Sequence, residues 1–109
     1  MANPWAGEVA LTLDCERHVL KLTLGALAEL EAALGADSLV TLVERFESAR
    51  FSTRDVLLLI VAGLRGGGWR GTAEDLRTVE IAGGPIEAAR VAAELLVRAF
   101  QLPGVPGAA

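Results

Sequence analysis

Cysteine and histidine each appear once in the 109 residues, and that alone removes several chemistries. A lone Cys15 cannot close a disulfide within the chain, so a reducing compartment is expected and a covalent framework is not. His18 has no second histidine to complete a metal set. Asp14, Cys15 and Glu16 lie near it in sequence, but charged residues around a turn are the simpler account. No third group orients a Cys15–His18 pair for nucleophilic work, and no Ser–His–Asp set can be assembled, so a non-catalytic protein without a cofactor is expected. Basic residues are few and scattered: ten Lys and Arg stand against fourteen Asp and Glu, a net charge of −4. The clustered positive footprint that nucleic acid requires is missing. Long hydrophobic runs are missing too. The longest, VLLLIVAGL, has nine residues where a spanning helix needs about twenty, so no membrane partner is expected. The opening MANPWAGEVALTLDCE has neither the basic n-region nor the long apolar h-region of a secretory signal, and a cytoplasmic protein is expected.

What is present is apolar and patterned. With 52% hydrophobic residues the chain can bury one core, and the expectation is a single domain over 1–109, ordered from about 8 to 102, with flexible ends. EVALTL (8–13) alternates Val9, Leu11 and Leu13 against polar or small residues, the period of a strand with one buried face. HVLKLT (18–23) can place Leu20 and Leu22 on one face, which predicts an antiparallel hairpin turning near Asp14 to Arg17. Two strands alone are marginal and must lie on helices or join another chain's sheet.

Helical spacing takes over from there. Thr23 can cap a helix over 24–34 in which Leu24, Leu27, Leu30 and Leu34 recur at threes and fours, closed by Gly35. Asp37 or Ser38 starts the next, with Leu39, Leu42, Val43 and Phe46 inward and Thr41, Glu44 and Arg45 outward. Ser52-Thr53-Arg54-Asp55 has capping-box spacing and opens a helix whose apolar residues go right round its axis, so it should be the buried centre. Thr72 to Asp75 repeats the spacing before a short helix ending near Glu80. Gly83-Gly84-Pro85 then introduces a last helix running to about Gln101. The fold class is α+β, mainly α: a short N-terminal hairpin followed by four or five helices around a central apolar one.

Two stretches invite a functional reading. RGGGWRG (65–71) has consecutive glycines between arginines, but it follows a helix and lacks the lysine and the spacing of a phosphate loop. The plainer expectation is that Gly66 ends the central helix and Gly67 and Gly68 turn the chain. Trp69 then either covers a core edge or contacts a partner, and Arg65 and Arg70 either pair with a partner's carboxylates or are solvated. In the last helix, Glu87, Arg90, Glu94 and Arg98 fall on a narrow charged stripe that leaves two apolar sides. Ile86, Ala89, Ala93, Leu96, Val97 and Phe100 are expected against the central helix. Val91, Leu95 and Leu102 either pack under the hairpin or belong to a partner surface.

LTLGALAELEAALG (22–35), VLLLIVAGLRGGG (56–68) and GGPIEAARVAAELLVRAF (83–100), in that order and spacing, resemble tail protein ten of gene transfer agents, the phage-like particles that package host DNA. That family is grouped with phage tail assembly chaperones and has also been labelled tail tube protein. The resemblance spans roughly 8–102 and rests on Leu27, Leu30, Glu31 and Leu34, on Leu64 to Gly68, and on Leu95, Leu96, Ala99 and Phe100; Trp69-Arg70 departs from it. It implies a tail-morphogenesis protein whose partners are tail proteins, above all the tape-measure protein, held soluble by a chaperone. The alternative is a structural part of the tail, tube or minor protein. Two strands are few for a subunit that must close a ring's inner sheet, so periodicity favours the chaperone. Self-association suits the spare apolar flank equally well.

Overall fold

A computed structural model of the chain describes residues 7–35 and 38–100. The elements run β1 (Val9–Leu13), β2 (Glu16–Leu20), α1 (Leu24–Leu34), α2 (Leu39–Glu47), α3 (Thr53–Gly66), α4 (Ala73–Leu76) and α5 (Gly84–Ala99). The fold is α+β and mainly α, as expected: an antiparallel hairpin, then five helices among the described residues.

The hairpin pairs Val9 with Leu20, Leu11 with His18 and Leu13 with Glu16. Its turn is tighter than expected. Asp14 and Cys15 alone form it, both with positive φ (48° and 66°), the conformation a two-residue type I′ loop demands. Val9, Leu11, Leu13 and Leu20 are buried on the face that meets the helices. An unexpected third segment ties down the hairpin tip. The Asp14 amide donates to the Glu80 carbonyl (2.8 Å), the Ala82 amide donates to the Thr12 carbonyl (3.0 Å), and the Asp14 carboxylate accepts from the Glu80 amide (2.8 Å). The helix expected to end near Glu80 therefore stops at Leu76, because the chain must straighten to reach the edge of β1.

Local capping chemistry sets the helix starts. The Thr23 hydroxyl accepts from the Ala26 amide and the Ser38 hydroxyl from the Thr41 amide. The Ser52 hydroxyl accepts from the Asp55 amide while the Asp55 carboxylate accepts from the Ser52 amide, completing the box. Asp37, the other candidate cap, and Gln101 lie outside the described residues. α2 turns Leu42 fully inward. α1 departs from its periodic reading: Ala26, Leu30 and Leu34 are buried while Leu24, in the first turn, is 86% exposed.

α3 is the centre. No residue from Asp55 to Leu64 is exposed, and α1, α4, α5 and β2 all pack on it. The buried side chains form one cluster that joins the hairpin face to α1, α2, α3 and α5.

Candidate functional site

The glycine stretch of RGGGWRG works differently from its sequence reading. α3 runs through Gly66 and is capped by Gly67 at φ −89°; Gly68, at φ +105°, makes the turn. Gly66 and Gly67 serve proximity. A Cβ on Gly66 would lie 1.8 Å from the Lys21 carbonyl oxygen, and one on Gly67 would lie 1.9 Å from that of Val19. Gly63, one turn earlier, lets Leu20 and Leu95 meet over the helix: its Cβ would come within 2.7 Å of Leu95 Cδ1 and 3.1 Å of Leu20 Cβ. The Lys21 amide donates to the Gly63 carbonyl at 2.9 Å. Thus the glycines dock the end of α3 directly on the backbone of β2.

Two of the three expected contact residues around this loop, Arg65 and Trp69, are engaged by their own chain. Arg65 donates from Nε to Glu29 Oε1 at 2.8 Å and from Nη1 to the Gly71 carbonyl at 3.1 Å, linking α1, α3 and the loop. Trp69 is half-buried against the core cluster, and its amide donates to the Leu64 carbonyl at 2.9 Å. Its ring lies so close over Gly71 that a Cβ there would meet it at 2.1 Å. Arg70 is exposed beside it.

The last helix is rotated relative to its expected orientation. Val91 and Leu95 are 0% and 1% exposed, packed with Ala88, Ala92 and Leu96 against α3 and β1, so they are not available as a partner surface. Leu102 lies outside the described residues. The side expected against α3 is open: Ile86 is 84%, Val97 58% and Phe100 38% exposed, with Leu96 alone of that set buried. The reason is shape. A charged stripe leaves two apolar sides that a helical projection cannot rank. The notch at Gly63 accepts Leu95, and Ala88 and Ala92 keep the helix axes close. The signal for the open side is the seven-residue spacing of Ile86, Ala93 and Phe100, which periodicity alone places equally well in a core.

A groove of about 900 Å³ opens between α3, α4 and the start of α5, floored by Val56, Ile60, Leu76, Val79 and Ala88 and rimmed by Glu74, Arg77 and Glu80. It contains none of the expected contact residues. It was not legible in the sequence because its walls come from three separate elements, α3, α4 and α5, whose packing no local periodicity sets.

One buried ion pair lies beside it. Asp55, 3% exposed, accepts from Arg45 Nε and Nη2, both at 2.9 Å, and so locks α2 to α3. Burial pushes its pKa up, but hydrogen bonds from Arg45 and the Ser52 backbone and the Arg45 charge outweigh that and hold the carboxyl below its ordinary value. Periodicity alone puts Arg45 on the solvent side of α2; the Asp55 carboxylate turns it inward. On α5, Glu87 is lowered chiefly by its hydrogen bonds from Arg90, at 2.9 and 2.7 Å. These shifts come from structural pairs. Among the described residues no three His, Cys, Asp or Glu converge to hold a metal, and no helix is long and apolar enough to cross a membrane.

These features define a class: a small, mainly helical α+β protein that leaves an apolar helix face and an apolar groove open to its surroundings. A family model described as "Phage tail tube protein, GTA-gp10" matches residues 6–102, and the chain belongs to that family. No curated protein and no solved structure matches it.

Proposed function

We propose that the chain is a non-catalytic structural component of the tail of a phage-like gene transfer agent, incorporated in the finished particle. The family's description as a tail tube protein, matched over nearly the whole chain, carries this reading. It favours the alternative over the chaperone that strand counting pointed to: two short strands limit what one copy can give to a ring, but an assembly can also be built through helix faces. The open face of α5 and the groove beside α4 supply apolar surface for neighbouring tail proteins.

A second reading remains an assembly chaperone for the tape-measure protein, acting in the producing cell. The groove favours it, since an apolar channel with a polar rim suits an amphipathic helix. Quantitative mass spectrometry of purified particles separates the two. A structural component is present in fixed ratio to the other tail proteins; absence from finished particles refutes that role and leaves the chaperone.

A further inference from the structure

The open side of α5 has an order that its exposure alone does not require. Ile86, Ala93 and Phe100 fall seven residues apart, with Ala89 and Val97 between them, so an apolar line about 21 Å long runs down the helix with its smallest side chains at and near the middle. The line is symmetric about Ala93: Ile86 and Phe100 are each seven residues from it, and Ala89 and Val97 each four. Beside it runs the charged flank Glu87, Arg90, Glu94, Arg98, in alternating sign.

We propose that a second copy of this chain docks here, its α5 crossing antiparallel at Ala93 in a two-fold symmetric contact. Reversal sets Ile86 against Phe100 of the second copy and Ala89 against Val97, with the two Ala93 residues at the closest approach. A two-fold axis normal to the helix pair puts the charged flanks on the same side. Glu87 then faces Arg98 of the other copy, and Arg90 faces Glu94. In a parallel two-fold pair the axis runs along the helices and carries the charged flanks to opposite sides, out of each other's reach, so only the antiparallel arrangement brings these opposite charges together. An unrelated partner would need no such agreement between the line and its own reverse; a second copy does. One helix pair is a small interface, at or below the low end of the range for stable complexes, so the dimer is a concentration-dependent one with a dissociation constant of order micromolar or weaker.

Sedimentation equilibrium on the purified chain tests this from about 1 µM to about 1 mM. The average mass should rise with concentration from 11.4 kDa towards twice that value. An acidic variant (Arg90→Glu with Arg98→Glu) and a basic variant (Glu87→Arg with Glu94→Arg) should each stay monomeric, and an equimolar mixture should regain the dimer. Val97→Lys, which leaves the charged flank intact, should also be monomeric. Circular dichroism establishes that each variant is folded before its mass is read. A parent that stays monomeric throughout, a Val97→Lys variant that dimerises like the parent, or a mixture no more associated than its folded components would overturn the proposal. None of these results depends on whether the protein is found in particles.

Discussion

Replacing Gly66 by alanine should damage this protein far more than a single methyl group suggests. In an ordinary helix the change is favourable by up to about 1 kcal/mol, because glycine loses more backbone freedom on folding. Here the new Cβ would sit 1.8 Å from the Lys21 carbonyl oxygen, where ordinary contact begins near 3.4 Å, so α3 and β2 must part by about 1.6 Å. Backbone atoms lie on both sides, so no side chain can rotate away. Parting them breaks the Lys21 amide's bond to the Gly63 carbonyl, worth about 1 kcal/mol net and more if the amide stays buried. It also loosens Leu20, fully buried against Gly63, and overpacking of this kind costs about 1–3 kcal/mol. The net expectation is a loss of about 2–4 kcal/mol, or a fall in Tm on the order of 10–25 °C for a domain of this size. Urea and thermal unfolding followed by far-ultraviolet circular dichroism measure both. Gly25→Ala in α1 is the internal control: its nearest neighbour would be Thr23 Oγ1 at 3.8 Å, and it should stabilise by about 0.5–1 kcal/mol. If Gly66→Ala proves as stable as the parent, the close approach of α3 to β2 is wrong.

The rotation of α5 separates two further substitutions. Val91→Asp should prevent folding, since it buries an unpaired charge at a position with no exposure, whereas Ile86→Asp should change stability by less than about 0.5 kcal/mol in the same unfolding experiment. Leu95→Ala should cost about 2–5 kcal/mol by emptying the notch over Gly63, read as a lower urea midpoint. Asp55→Ala removes a cap and strands Arg45, for a loss of about 2–4 kcal/mol. The folded pKa of Asp55 lies below its ordinary 3.8, so its contribution is complete above that value and disappears as pH falls through the lower folded one. Acid titration of the parent should therefore show a loss of stability below pH 3.8 that the Asp55→Ala variant lacks.

The order and kind of the elements could be read from the chain because their causes are local. A threonine or serine three residues before a free amide, an alternation of period two, and leucines at threes and fours act within one turn or one strand. Thr23, Ser38 and Ser52 thus start their helices where expected, and α3 emerges as the centre because its apolar residues surround its axis. The candidate surfaces were less legible. Trp69 and Arg65 were visible as unusual residues, but their engagement with Leu64, Glu29 and Gly71 depends on how the loop folds back.

By itself, then, the sequence determined a hairpin followed by helices, their caps, their approximate ends and the absence of clustered charge. Only the tertiary structure decided which apolar side of α5 is buried, why glycines end α3, and that Arg45 turns inward to Asp55. Each of those depends on the shape or charge presented by a residue distant in sequence: the missing side chain of Gly63 opposite Leu95, the carbonyls of Val19 and Lys21 opposite Gly67 and Gly66, and a buried carboxylate opposite a guanidinium. A helical projection contains no such opposing surface, so it could show that α5 has two apolar sides but not which of them faces out.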